Sequence, residues 1–204
     1  MFERIEGVRK GKKDEEAREK LVALMWDSLA SLKGAPDAVT AQRLDEIATH
    51  VEGRVLDVGC GQGSMFKRLK RNGYVGCDLS GEMIAGIKHK GDFRHANFFD
   101  IDEHFDTVLF CGSLQFFANL TSVFQRCQMI AERVVIAHTR GALFVREERL
   151  GNPYVVPCFM PDMDELQSIG HATGFTVTYA HPHLAHFYLA VLDGGGGGGG
   201  GGVV

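Results

Sequence analysis

The sequence predicts a doubly wound α/β domain, a mostly parallel sheet with helices on both faces and a C-terminal antiparallel hairpin at one side. Three observations predict it. From Arg54 onward, short apolar runs alternate with helical stretches, the pattern of a parallel sheet covered on both faces. The first run feeds directly into a turn with three alternating glycines, Gly59, Gly61 and Gly63. The last two runs, Phe175–Tyr179 and Phe187–Leu192, are joined by a short loop containing His and Pro, which reads as an added hairpin.

Taken in order, residues 1–13 are charged and aperiodic and are expected to be weakly ordered. Helical patterning starts at Asp14, where Asp14, Glu15 and Glu16 suit a helix N-terminus and Leu21, Leu24, Met25, Ser28 and Leu32 follow at helical spacing. After Gly34 and Pro36, a second helix carries Val39, Leu44, Ile47, Ala48 and Val51 on one face and ends at Gly53. Arg54–Val58 is the first strand, and a helix over Ser64–Arg71 follows the glycine turn. Tyr74–Cys77 is the second strand, ending in Asp78, and Ser80 is the N-cap of a helix that runs to Lys88. Phe93–Ala96 and Thr107–Cys111 are the third and fourth strands. Val123, Phe124, Cys127 and Ile130 mark a helix, and Val134–Ala137 is the fifth strand. Residues 139–161 read as a connection rich in turn residues and aromatics, followed by a helix over Pro161–Ala172. Residues 14–193 thus form one domain, and residues 194–204, nearly all glycine, form a tail expected to be disordered.

Bulk properties narrow the function. With 204 residues, 45% hydrophobic and 24% charged, the chain is an ordinary single globular domain. A net charge of -4 argues against a nucleic-acid-binding protein, which needs a basic face. Five cysteines, at 60, 77, 111, 127 and 158, include no pair at two-residue spacing and read as free thiols in a reducing compartment. The longest apolar runs fall short of the roughly 20 residues of a membrane span, and the start of the chain has no apolar signal core. The expectation is a cytoplasmic protein.

The stretch with most chemistry is Val55-Leu56-Asp57-Val58-Gly59-Cys60-Gly61-Gln62-Gly63. A strand delivers the chain to a glycine turn, and a helix starts at once. Missing side chains allow a sharp turn and close approach to a ligand, while the helix start offers unpaired N–H groups. Fifteen residues past Gly63, Asp78 ends the next strand, where a carboxylate can accept from both hydroxyls of a ribose. The dinucleotide fingerprint would want glycine at position 64, which is Ser64. The spacing is instead Asp-x-Gly-x-Gly-x-Gly.

On these residues the chain resembles the class I S-adenosylmethionine-dependent methyltransferases, over about residues 40–193. The resemblance implies their Rossmann-like architecture and S-adenosyl-L-methionine as cofactor, with Asp57, Gly59, Cys60, Gly61 and Gly63 as the cofactor turn and Asp78 on the ribose. It further implies that Leu79 packs on the adenine. Asn97 and Phe98 match the acid and the apolar residue that flank the adenine, with Asn in place of the commoner Asp; its carbonyl can still accept from an amino group. Backbone near Cys111 and Gly112 would face the methionine end and the transferring methyl. A helix before the turn often folds over the cofactor in this family, which gives Trp26 a lid role as an alternative to a core role. A second likeness, to a small plant and algal methyltransferase-like group, rests on Gly141 to Pro161 and on Phe187-Tyr188-Leu189-Ala190-Val191-Leu192.

Several other motifs have plainer readings. Asn152-Pro153-Tyr154 follows the fifth strand, not the fourth, and reads as a loop turn rather than a nitrogen-methylation motif. His181, His183 and His186 have no nearby Cys or carboxylate and read as hairpin-loop imidazoles, with no metal implied. Asn119-Leu120-Thr121 fits a glycosylation sequon that a cytosolic chain would not use. Lys10, Lys12 and Lys13 read as a solvated terminus.

The function expected is methyl transfer to a small, partly hydrophobic acceptor, with no membrane or nucleic-acid partner. Phe144, Tyr154, Val155, Val156, Phe159 and Met160 are candidates to cover the acceptor, and His138, just past the fifth strand, is the candidate general base. A non-catalytic methyltransferase-like binding protein and a nicotinamide-dependent oxidoreductase remain the alternatives.

Overall fold

The computed structural model describes residues 2–32, 34, 36–69, 73–151 and 160–195. Its centre is a seven-stranded sheet of order β3-β2-β1-β4-β5-β7-β6, built from β1 (Val55–Val58), β2 (Tyr74–Asp78), β3 (Asp92–His95), β4 (Phe105–Cys111), β5 (Ala131–His138), β6 (Phe175–Ala180) and β7 (Tyr188–Gly194). The first five strands are parallel, while β7 pairs antiparallel with both β5 and β6. The hairpin is therefore inserted with its second strand beside β5, as the sequence expects of an added antiparallel element.

Both sheet faces are apolar, which is why the strands read as continuous hydrophobic runs. Alternate residues divide between two cores. Leu56, Val58, Val108, Phe110, Val134 and Ile136 face α5 (Leu120–Ile130) and α7 (Met163–Ala172). Val55, Leu109, Val135 and Ala137 join Leu44 and Ile47 of α2 (Ala38–Thr49) and Leu69 of α3 (Phe66–Leu69). Local capping sets the helix starts. The Ser80 hydroxyl accepts from the Met83 N–H at the head of α4 (Gly81–Ala85). Asn119 caps α5 through Ser122 N–H, so the apparent sequon is a helix start. Asp162 and Glu165 form a reciprocal capping box on α7.

Three expectations are corrected. Helix α1 (Phe2–Leu29) begins at Phe2 rather than Asp14; residues 2–13 lack apolar periodicity, but their Glu, Arg and Lys are good helix formers. The stretch after β5 contains a helix, α6 (Gly141–Gly151), where a turn-rich connection is expected. Its first N–H groups donate to a loop distant in sequence: Ala142 to the Leu184 carbonyl at 2.9 Å and Leu143 to the Ala185 carbonyl at 3.0 Å. The glycine tail starts inside the sheet, with Gly194 opposite Phe175 and the Gly195 N–H donating to the Gly174 carbonyl at 2.9 Å. Glycine continues a ladder because the ladder needs only backbone. The rest of the tail, the triplet 152–154 and Cys158 lie outside the described residues.

Gly141 has φ +75°, and a Cβ there would lie 2.3 Å from the Ala185 carbonyl oxygen. Gly141→Ala should therefore destabilise the protein by about 1–3 kcal/mol from the left-handed backbone alone, with the backbone clash adding to it. A lower midpoint in urea unfolding is the expected result, and an unchanged midpoint would show that the α6 junction relaxes without loss.

Candidate functional site

Chain direction reverses between β1 and β4, whose successors run to opposite edges of the sheet. Beyond the carboxyl ends of such strands a crevice opens, the usual ligand position in open α/β sheets. Here the crevice is lined by residues of the turns after β1, β2, β3 and β4 and by residues of α1.

The glycine turn after β1 forms one wall. The Gly59 and Cys60 N–H groups both donate to the Cys77 carbonyl, at 2.8 and 3.0 Å, which ties the turn to β2. Gly59 has φ +70°, and a Cβ there would stand 2.5 Å from the Ser113 Cβ. That closeness brings the turns after β1 and β4 together. Asp78 is fastened at both oxygens, one accepting from the Gly61 N–H and the other from the Ser80 N–H, each at 2.8 Å.

Of the residues singled out by sequence, Gly59, Gly61, Asp78, Leu79, Asn97, Phe98, Cys111 and Gly112 line this cavity. Asp57, Cys60, Gly63 and His138 do not. Asp57 is buried behind the turn, where the Tyr74 hydroxyl donates to it at 2.5 Å. Cys60 is turned inward against Gly76, and Gly63 lies against the Phe93 ring. Burial pushes the Cys60 thiol up and the Cys77 thiol up to about 12, aided by nearby Asp57 and Asp78. Both thiols are therefore inert packing groups. Asn97 uses its side-chain oxygen to cap the short turn Phe98–Asp100, accepting from Phe99 N–H at 3.1 Å.

Helix α1 supplies what the sequence reading left out. Glu15, Arg18, Glu19, Val22 and Trp26 line the cavity, at the spacing of one helical face. Leu21, Leu24 and Leu32, whose spacing marks an apolar stripe, are 58%, 64% and 76% exposed. Three contacts set this rotation. Trp26 meets Phe116 edge-to-face at 5.6 Å. Asp27 accepts from the Ser80 hydroxyl at 2.6 Å and from Glu82 N–H at 3.2 Å, and the Ser80 bond holds its carboxyl below the usual range. Just beyond the helix, the Ala30 carbonyl accepts from Gln62 Nε2 at 2.8 Å. Phe99, Ser113, Phe116, Phe117, Ala118 and Met83 complete the lining that sequence reasoning missed. Charged residues at helical spacing read as a solvent face, so the only signal for α1 was Trp26.

His138 lies beside the cavity wall: a Cβ on Gly112 would be 3.8 Å from its Cδ2. The ring is 8% exposed and stacks on Phe144. Burial, with a smaller effect from the Arg140 cation, pulls its pKa down to about 4. Nδ1 accepts from the Arg140 N–H at 3.3 Å, so the neutral ring carries its proton on Nε2. Phe144 and Met160, expected over the acceptor, serve the interior instead, Phe144 between His138 and the Arg140 guanidinium and Met160 in the core. Tyr154, Val155, Val156 and Phe159 lie outside the described residues. In the hairpin loop, His181 Nδ1 accepts from His183 N–H at 3.1 Å. Among the described residues no group of three or more His, Cys, Asp or Glu is placed to hold a metal ion, and no helix is long and apolar enough to cross a membrane.

Comparisons with known proteins agree with this architecture. Residues 56–133 match a family model described as a methyltransferase domain. No curated protein matches the sequence. Among solved structures, the fold is similar to magnesium protoporphyrin IX methyltransferase of Synechocystis PCC 6803 with bound SAH, at TM-score 0.66 and 15% identity, covering 86% of this chain and 99% of that one. It is also similar to an S-adenosylmethionine-dependent methyltransferase of Bacteroides fragilis in complex with S-adenosyl-L-homocysteine, at TM-score 0.59 and 18% identity over 79% and 83% of the chains. A Thermotoga maritima methyltransferase described as a possible histamine N-methyltransferase gives TM-score 0.60 and 16% identity over 76% and 88%. The finer plant and algal likeness gains nothing from these matches.

The depressed His138 pKa carries a pH dependence. The folded state keeps the ring neutral down to about pH 4, whereas the unfolded chain protonates it near 6.5. Its stabilising effect is complete above pH 6.5 and is lost as pH falls towards 4, by up to about 1.4 kcal/mol per unit. His50, shifted the same way by burial, adds to the slope. Urea unfolding from pH 7 to 4 should show a shallower loss in His138→Gln than in the wild type; parallel curves would mean that His138 titrates normally.

Proposed function

We propose that this chain is a class I methyltransferase using S-adenosylmethionine and that it methylates a small, partly hydrophobic acceptor held in the cavity beside α1. The observation that carries this reading is Asp78, oriented at the cavity wall by the Gly61 and Ser80 N–H groups at the end of the strand that follows the glycine turn, where a carboxylate can meet a ribose diol. When bound, S-adenosylmethionine supplies an electrophilic methyl carbon on a sulfonium, which leaves as a neutral thioether as the acceptor's lone pair takes the methyl.

The chain's own groups then bind, align and exclude water. Leu79 and Phe98 offer apolar surface for the adenine, and the Asn97 oxygen can accept from its amino group while it caps the turn. Cys111 and Gly112 lie towards the transfer end. Val22, Trp26, Phe116 and Phe117 shield that end from water, and such alignment can supply effective molarities of roughly 10⁵–10⁸ M. A non-nucleic acceptor is supported by the cavity's charge: Arg18 is opposed by Glu15, Glu19 and Asp78 among the described lining residues.

His138 enters this reading as a neutral donor. With its ring pulled to about pKa 4 and Nδ1 already engaged by Arg140, it is poorly matched to accepting a hydroxyl proton at neutral pH. Its Nε2–H is suited to positioning. A cytosolic setting is part of the same proposal, supported by the free thiols of Cys60, Cys77, Cys111 and Cys127.

Isothermal calorimetry should show S-adenosylmethionine and S-adenosylhomocysteine binding to the wild type, with Asp78→Ala weaker by about 1.5–3 kcal/mol, the scale of hydrogen bonds to a charged group. No binding to folded wild type would refute the cofactor site, and an unchanged affinity in Asp78→Ala would remove the ribose role. Tight binding with no methyl transfer to any of a broad set of small acceptors would favour the non-catalytic alternative.

A further inference from the structure

Helix α1 carries apolar side chains on two opposite sides. Val22 and Trp26 turn towards the cavity. On the far side Ala17, Leu21, Leu24 and Ser28 are all exposed. Their spacing of four, three and four residues is that of the a and d positions of a coiled coil, so they form one seam along the helix. Ser28 does not make the seam polar, because its hydroxyl donates back to the Met25 carbonyl at 2.7 Å. Surface leucines scattered singly need no explanation, whereas a continuous apolar seam marks an interaction surface.

The order of residues in the seam says which partner fits it. Read from either end it is small, leucine, leucine, small. Such a seam is its own complement under a two-fold axis that sets two helices antiparallel. Leu21 of each copy then meets Leu24 of the other, and Ala17 meets Ser28, where small side chains let the backbones approach. The flanking charges obey the same axis. Lys20 and Asp27 hold g positions on one side of the seam, and g positions face one another in an antiparallel pair. Each Lys20 is thereby brought beside the Asp27 of the other copy, and on the other side Arg18 faces Met25, so no like charges meet. A lipid surface fits less well. Helices that lie on anionic lipid are rich in Lys and Arg on the polar flanks, whereas here Asp14 and Glu16 are exposed together with Lys20.

We propose that two copies of this chain associate through antiparallel pairing of their α1 helices, with the two-fold axis midway between Leu21 and Leu24. Two leucines a side bury far less than the roughly 1,200 Å² at the low end of stable interfaces, so the dimer is weak and forms with rising concentration. Each copy keeps its own cavity, because the pairing uses the side of α1 that faces away from it.

Sedimentation equilibrium of the full chain, from micromolar to near-millimolar concentration, should show the average mass climbing reversibly from one chain towards two. Leu24→Lys puts two cations beside the axis and should stay monomeric over that range, with its melting temperature and S-adenosylhomocysteine affinity unchanged. Leu21→Lys, at the same axis, should behave alike. Cross-linking reads the register. Under mild oxidation a mixture of Ala17→Cys and Ser28→Cys should give a linked dimer, and either variant alone no more than wild type, whose own cysteines set the background. Wild type that stays monomeric throughout overturns the proposal, and if it instead sediments with phosphatidylserine vesicles the seam belongs to a membrane. A dimer that persists in both lysine variants lies elsewhere on the surface and overturns it. So does a cross-link in Ala17→Cys alone, which would mean parallel helices. Should the lysine variants fail to fold, absence of the mixed cross-link in a dimeric wild type overturns it alone.

Discussion

At Gly59 two turns pass so close that a single added carbon would meet Ser113 at 2.5 Å. Around that approach the rest of the site is assembled. The Gly59 and Cys60 N–H groups reach the Cys77 carbonyl of the next strand, the Gly61 N–H reaches Asp78, and the Ser113 hydroxyl reaches back to Val58. Three strand ends are locked together in this way, and the cavity beside them inherits their rigidity. A carboxylate fixed at both oxygens has little rotational freedom left to lose on meeting a ligand.

Helix α1 obeys a different constraint. An isolated helix of its composition would be expected to turn its leucines inward. Here Leu21, Leu24 and Leu32 face solvent while Glu15, Arg18 and Glu19 line the cavity. The Asp27 bond to Ser80 and the Trp26 contact with Phe116 prevail, because both partners belong to the rigid turns after β2 and β4. Ser80 serves twice, capping α4 and receiving α1, so the cover is anchored two residues from Asp78.

These two constraints explain what could be read from the chain. Strand alternation, the glycine turn, the Asp78 position, the Ser80 cap and the terminal hairpin follow from local pattern, because each depends on periodicity or on backbone conformation. Eight of the cavity residues were legible for the same reason: they sit at strand ends. The inward face of α1 was not, since charge at helical spacing gives no sign that a cavity lies beneath it. Nor was α6, whose start is secured by the Leu184 and Ala185 carbonyls more than forty residues away. Gly194 escapes a sequence reading because glycine-rich sequence looks structureless, while a strand ladder asks only for backbone. Asp57 shows the converse. Its place in the motif was evident, yet its side chain belongs to Tyr74 and the layer behind the turn.

Methyl transfer from a sulfonium to a good nucleophile needs alignment and dryness more than acid–base chemistry. The distribution of polar groups here is consistent with that demand. Asp78 stands at the cavity wall with each carboxylate oxygen oriented by a backbone N–H. Behind the turn after β4, outside the cavity lining, the buried polar groups are neutral: an imidazole kept uncharged by burial and a glutamine amide fixed by a backbone carbonyl. A charged base in that place would have stabilised the sulfonium before reaction as well as during it, and uniform stabilisation of both states brings no rate. A buried histidine of low pKa behind the wall is therefore compatible with a methyl-transfer site.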